Sequence, residues 1–215
     1  MNLFVVIPAY NESRHIKAIV HEARKYCKNI VVVDDGSSDA TSIEASGAVV
    51  LKHLVNIGKG AALKTGCDYA ISKGADTIVV MDADGQHNPD SIPEFLSKLK
   101  NCDIVIGYRE LNKNMPAVFR LGNALIEFMT SLLYSVRVHD TQSGFRAFTG
   151  DAYRKIRWEA QDYSVESEMI ALIAKHHLRL GQVRIDTIYN DKYKGTTVLD
   201  GIRVVINMFW WRLTR

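Results

Sequence analysis

Two carboxylates close an apolar run in "VVMDADGQHNP", at Asp82 and Asp84. On an extended strand, residues i and i+2 point to the same face. Like charges held that close repel each other unless a cation or strong donors neutralise them. Hard divalent cations such as Mg²⁺ accept carboxylate oxygens, with phosphate and water oxygens completing the shell. Asp82, Asp84 and Gln86 place oxygens at alternating positions of one segment. Such a set suits a metal that bridges a nucleotide diphosphate and neutralises it as a leaving group. A solvated loop is the alternative.

Other polar clusters have the same form. "PAYNE", Pro8 to Glu12, offers an aromatic face for a base and a carboxylate for a ring or sugar. It also reads as a turn with a helix cap at Asn11 or Ser13. "VVVDDGSSD" carries Asp34 and Asp35, suited to the amide edge of a base, or to a turn capped by Ser37, Ser38 or Asp39. In "NIGKGAALKTG", Gly58, Lys59 and Gly60 open a helix whose N-terminus suits an anion, though the Walker spacing is missing. Arg109 follows "DIVIGY", and a guanidinium fork matches phosphate oxygens.

These clusters need elements to hold them. "LFVVI", "NIVVVDD", "AVVLKH", "TIVVMDAD" and "DIVIGYR" read as strands. Ile16, Ile19, Val20, Ala23 and Cys27 mark an amphipathic helix between the first two. Residues 60–72 and "NPDSIPEFLSKLK", opened by Asn88 and Pro89, read as further helices. Continuous apolar strands alternating with helices predict a mostly parallel sheet covered on both faces. The polar clusters then fall at the strands' carboxyl ends, the edge where open α/β sheets bind ligands. Beyond residue 110 the pattern is less regular: a long helix over 116–136, the segment "DTQSGFRAF", a helix near 164–176, a strand "GQVRIDTIY", a basic loop and a last helix. No linker intervenes, so this half is expected to build onto the same sheet.

The chain has 215 residues, 47% hydrophobic and 24% charged, which is an ordinary globular composition. A net charge of +3 is too mild to argue for nucleic acid. Cys27, Cys67 and Cys102 lack metal-ligand spacing and read as reduced core thiols. There is no leader-like start and no apolar run of about 18 residues, so the expectation is a cytoplasmic protein.

In this order, "PAYNE", "DDGSSDAT", "DADGQHNP", "GYR" and "DTQSGFRAF" resemble the inverting family-two nucleotide-sugar glycosyltransferases. Within them the chain is most similar to the dolichyl-phosphate mannose and glucose synthases and their polyprenyl-phosphate relatives. The likeness covers essentially the whole chain. It implies a GT-A, Rossmann-like α/β fold as a single domain over 1–215, with 1–110 binding the nucleotide sugar and 111–215 the acceptor. It implies metal-dependent transfer of a hexose, from a GDP-mannose or UDP-glucose type donor, to a polyprenyl or dolichyl phosphate. By matching position, Pro8, Ala9, Tyr10, Glu12, Asp34, Asp35, Lys59 and Ala83 would hold the donor. Asp82, Asp84 and Gln86 would hold Mg²⁺ or Mn²⁺ and the diphosphate. Arg109, Arg120, Asn123, Lys192 and Lys194 would meet phosphate, with Asp84, Arg109 and Arg120 central to catalysis. Gly144 permits close backbone approach, and Arg146 could meet phosphate or brace a carboxylate. Glu166 and Glu168 lie two apart in a helix and cannot share a face. Glu168 is the better match to the family's acidic position, as a base or as an orienting group.

The final helix carries Ile202, Val205, Ile206, Phe209 and Leu213 at helical spacing, flanked by Trp210, Trp211 and arginines. That pattern suits a helix lying in a membrane interface, here the cytoplasmic face, with residues 118–136 as a second such surface. Packing on the sheet is the alternative. The synthases resembled here usually carry a lysine where this chain has Val198 in "KYKGTTV", which weakens the dolichyl-phosphate expectation more than that of glycosyl transfer. A sugar-hydroxyl acceptor, with Glu168 as base, is the competing enzyme reading. A phosphoacceptor module would need about half this length, and a nucleotidyltransferase would need a glycine-rich loop where "PAYNE" stands. The sequence leaves the donor's base, its sugar and the oligomeric state open.

Overall fold

The computed structural model describes residues 1–109, 128–134 and 136–186. Seven strands among them form one sheet: β1 (Leu3–Ala9), β2 (Asn29–Asp34), β3 (Val49–Lys52), β4 (Thr77–Val80), β5 (Ile104–Tyr108), β6 (Arg146–Thr149) and β7 (Leu180–Arg184). Their order is β3-β2-β1-β4-β6-β5-β7. All pairings are parallel except those of β6, which runs antiparallel to β4 and β5. The sheet is thus mostly parallel, and β6 and β7 from the second half join it.

Helices α1 (Ile16–Ala23), α2 (Thr41–Glu44), α3 (Lys59–Ser72), α4 (Ile92–Leu99), α5 (Gly150–Ile156) and α6 (Val165–Lys175) connect or cover the strands. In β1, Leu3, Val5 and Ile7 face α1 and α4, whereas Phe4 and Val6 face α3, α5 and α6. Both faces are buried, which is why the strands read as unbroken apolar runs. The helix expected from Asn88 is divided. Asn88 accepts from the Asp90 amide at 3.0 Å and opens a 3-10 turn over Pro89–Ser91, and α4 follows with Pro93 in its first turn. Residues 128–134 are helical and expose Phe128 and Leu132. The remainder of the 116–136 candidate, the basic loop and the final helix lie outside the described residues.

Two topological features create the site. Strand order reverses between β1 and β4, which opens a crevice at their carboxyl ends. Because β6 is antiparallel, its leading loop, residues 140–145, arrives at that same edge.

Candidate active site

The segments after β1 and β2 lock together. Asn11 sits at φ 56° and accepts from the Ser38 amide at 2.9 Å, while its own amide donates to Ser37 Oγ. The Glu12 amide donates to Thr41 Oγ1 at 2.8 Å, and Glu12 pairs with His15 at 2.9 Å. Pro8 and Ala9 are buried as the end of β1, but Tyr10 is 48% exposed, so its ring is available to a flat ligand. Asp39 accepts from the Ser13 and Thr41 amides. Burial opposes its ionisation, and the bonds from Thr41 and Ser13 together prevail, bringing its pKa down to about 2.

Asp34 and Asp35 are both buried. Asp34 accepts from the Ser37 amide at 2.8 Å and from the Ser42 hydroxyl, with Lys52 at 3.9 Å. Burial works against its charge, and those serine bonds still hold the carboxyl below the usual range. Asp35 accepts from the Ile57 amide at 3.0 Å, the Gly58 amide at 2.7 Å and His53 Nδ1 at 2.7 Å. His53 Nε2 faces Thr65 Oγ1 at 3.0 Å, so the ring ties Asp35 to α3. Gly58 has φ 114°, a conformation that favours glycine, and it delivers Lys59 to the head of α3.

The strand argument for Asp82 and Asp84 needs correction. β4 ends at Val80, and both carboxylates lie in a tight turn closed by Gly85 at φ 76°. Lys59 Nζ contacts Asp82 Oδ1 at 2.7 Å and Glu166 Oε1 at 2.8 Å. Burial alone would lower the lysine and raise the aspartate. The ion pairs outweigh it, so the ammonium is held above its ordinary value and the Asp82 carboxyl below its own. The Asp82 amide donates to His87 Nδ1 at 3.1 Å. That nitrogen is therefore an acceptor, and its 4.0 Å approach to Asp82 Oδ2 is no ion pair. Burial also pushes the imidazole down. A Cβ on Gly144 would lie 2.6 Å from Asp82 Oδ1, so the glycine anticipated for close approach is what lets the β6 loop meet this carboxylate.

Asp84 differs from its neighbour. It accepts from the Gln86 amide at 3.0 Å, and no lysine or arginine among the described residues pairs with it. Arg109 reaches Asp140, Nε to Oδ2 at 2.6 Å and Nη2 to Oδ1 at 3.3 Å. Arg120, Asn123, Lys192, Lys194, Trp210 and Trp211 lie outside the described residues.

In the second half, Arg146 forms no ion pair with a carboxylate among the described residues. It is 1% exposed and donates to the carbonyls of Thr141 (2.8 Å), Ser143 (3.0 Å) and Glu166 (3.0 Å). It is a buried brace between the β6 loop and α6. Glu168 is fully buried, and its oxygens accept from the Glu159 and Ala160 amides at 2.9 and 2.6 Å. Both oxygens are thus engaged by backbone amides of the segment before α6, a geometry that suits an orienting group. Glu166 instead reaches the site. Sequence reasoning missed it, together with Asp140 and His87. The i, i+2 spacing signalled that one glutamate would diverge from the other but not which would face Lys59.

Asp82, Asp84, Asp140 and Glu166 thus supply four carboxylates against three cations, Lys59, Arg109 and Arg146. A divalent cation would reverse that excess and leave the edge attractive to a diphosphate. No three His, Cys, Asp or Glu converge on one point among the described residues. Asp82 and Asp84 therefore fit a metal whose other ligands are phosphate and water.

A two-sided α/β sheet with a carboxylate and cation cluster at its switch point is an arrangement that the GT-A architecture shares. The chain belongs to glycosyl transferase family 2, whose family model matches residues 4–157, and the protein is a glycosyltransferase. The chain is 34% identical to the UDP-N-acetylglucosamine–dolichyl-phosphate N-acetylglucosaminyltransferase of Methanococcus voltae, over 98% of this chain and 96% of that one. It is 27% identical to the undecaprenyl-phosphate mannosyltransferase of Micrococcus luteus, over 99% and 95%. Among solved structures, glucosyl-3-phosphoglycerate synthase from Mycobacterium tuberculosis, in complex with Mn²⁺, UDP and phosphoglyceric acid, superposes with a TM-score of 0.74 at 22% identity, covering 98% of this chain and 78% of that one. At that identity the likeness bears on the fold alone.

Proposed function

We propose that this glycosyltransferase moves a sugar from a nucleotide diphosphate sugar to a polyprenyl or dolichyl phosphate at a membrane surface. The observation that carries the reading is the meeting of Asp82, Asp84, Lys59 and Arg109 at the switch-point edge. It is supported by full-length likeness to two enzymes named for lipid-phosphate acceptors. Tyr10 and the Asp34–Asp35 turn would flank the base. Asp82, Asp84 and Gln86 would hold Mg²⁺ or Mn²⁺, which would supply charge neutralisation on the departing diphosphate. Arg109 would exchange Asp140 for phosphate oxygens.

A lipid monophosphate is already ionised near neutral pH and needs no base. One of its oxygens attacks the anomeric carbon in line, the bond to the diphosphate breaks, and configuration inverts. The chain's own contribution is positioning and charge. The occupied oxygens of Glu168 favour this acceptor over a sugar hydroxyl. Among the described residues no helix is long and apolar enough to cross a membrane. Exposed Phe128 and Leu132 fit an interfacial helix, together with the Trp210–Trp211 segment on the cytoplasmic face.

The test uses radiolabelled UDP-N-acetylglucosamine, UDP-glucose and GDP-mannose with dolichyl phosphate and Mn²⁺. Organic-soluble, mild-acid-labile label from one donor is the expected outcome. Label that stays water-soluble on an added sugar acceptor would instead support the hydroxyl reading.

A further inference from the structure

Among the described residues, Glu166 Oε2 is the buried side-chain oxygen left without a hydrogen-bond partner. The side chain is only 5% exposed, so bulk water does not satisfy it. Its other oxygen takes the Lys59 ammonium at 2.8 Å, and the same ammonium takes Asp82 at 2.7 Å. Glu166 therefore stands within the sum of those distances from the candidate metal carboxylate.

Its position is fixed from behind. Arg146 clamps the Glu166 carbonyl together with those of Thr141 and Ser143. Gln142 donates to Ser167 Oγ at 3.0 Å. These bonds join the first turn of α6 to the loop that brings Gly144 against Asp82. The free oxygen is thus held in place beside the Lys59–Asp82 pair, on a carboxylate that cannot swing into solvent without leaving Lys59.

A buried acceptor of this kind calls for a donor. A second cation is unnecessary, because Lys59 already supplies charge at Oε1. A second metal lacks ligands, since no group of three His, Cys, Asp or Glu converges among the described residues. A neutral O–H or N–H fits, being directional and uncharged. If a diphosphate is held at Asp82 and Asp84, the group presented beside it is the sugar it carries.

We propose that Glu166 determines donor-sugar specificity: Oε2 accepts a hydrogen bond from a hydroxyl, or an acetamido N–H, of the sugar being transferred. The inference rests on the nucleotide-sugar reading above. Lys59 acts through Glu166 as a positioning residue, holding Oε1 so that Oε2 faces the sugar.

Isothermal titration calorimetry on the full chain with Mn²⁺ tests this, comparing UDP and GDP with UDP-N-acetylglucosamine, UDP-glucose and GDP-mannose. Glu166→Gln preserves volume and replaces an acceptor with a donor. The variant is expected to weaken the best nucleotide sugar by about tenfold or more, with the matching nucleoside diphosphate losing clearly less, since the charge lost opposite Lys59 acts on both ligands whereas the sugar bond is lost by one alone. The ranking of the three sugars should also change. Equal losses for sugar nucleotide and bare diphosphate would overturn the proposal, because Glu166 would then act only through Lys59 and Asp82. Unchanged binding of both would overturn it as well. If the wild-type chain binds none of the five, the nucleotide-sugar reading itself fails and takes the inference with it. Glu166→Asp keeps the charge opposite Lys59 but withdraws the free oxygen, and it replaces the glutamine variant if circular dichroism shows that one unfolded. The same selective loss is expected, and full retention of sugar discrimination sinks the idea.

Discussion

After β2 stand Asp34 and Asp35, and after β4 stand Asp82 and Asp84. The first pair is engaged by the protein itself: the Ser42, His53 and Lys52 side chains and the Ser37, Ile57 and Gly58 amides converge on it. Among the described residues, the second pair receives one amide at Asp84 and one ammonium at Asp82. Two sites with similar residues therefore divide the labour. The first is tied to the loops around it, including the loop that delivers Lys59, and the second is tied to fewer groups of the protein. A carboxylate whose lone pairs are filled by amides stabilises the fold, whereas one facing a displaceable cation can do chemistry.

The strongest challenge to this contrast is Asp84→Ala. Transfer should fall by about a thousandfold, roughly 4 kcal/mol of transition-state stabilisation, while the melting temperature moves little. Assayed with Mn²⁺ and the preferred donor, retained activity would remove Asp84 from the site. Asp35→Ala should do the reverse. It strands the Ile57 and Gly58 amides and His53, and urea denaturation should show a loss of about 3 kcal/mol. A variant as stable as the parent would mean the latch is not structural.

Gly144→Ala tests the crowding at Asp82. A displacement on the order of 1 Å should lower transfer about a hundredfold and weaken Mn²⁺ binding, measurable by electron paramagnetic resonance. Glu168→Gln should lower stability by about 2 kcal/mol, because an amide group then faces the Glu159 or Ala160 N–H. Its remaining activity should keep the parent's pH profile. Loss of the acidic limb from that profile would restore Glu168 as a base.

The smallest effect concerns pH. The folded pKa of Asp39, about 2, lies below the usual aspartate value. Its contribution is thus present above the unfolded pKa and is lost as pH falls through the window down to about 2. Asp34, also lowered, acts in the same direction. Acid titration followed by circular dichroism should show a shallower stability loss in this window for Asp39→Asn than for the parent. Identical slopes would place the acid sensitivity elsewhere.

Much of this was legible in the residues. Val and Ile runs separated by amphipathic segments specify strands and helices locally, because side-chain periodicity is a short-range property. The carboxyl-edge clustering followed from a parallel sheet. What periodicity does not carry is pairing across the fold. The antiparallel insertion of β6 depends on how the chain returns after a long excursion. The division of Glu166 from Glu168 depends on which loop packs above α6.

By itself the sequence determined the α/β class, the strand-end acidic turns and the family-two motifs. Only the tertiary structure decided the state of each carboxylate. Asp35 is closed by amides from the loop after β3. Asp82 is met by a lysine from α3 and backed by a glycine from the β6 loop, and Glu166 keeps one oxygen unsatisfied among the described residues. A carboxylate's chemistry is set by the donors and charges within a few ångströms of it. In this chain those neighbours come from segments far apart in sequence, which only folding brings together.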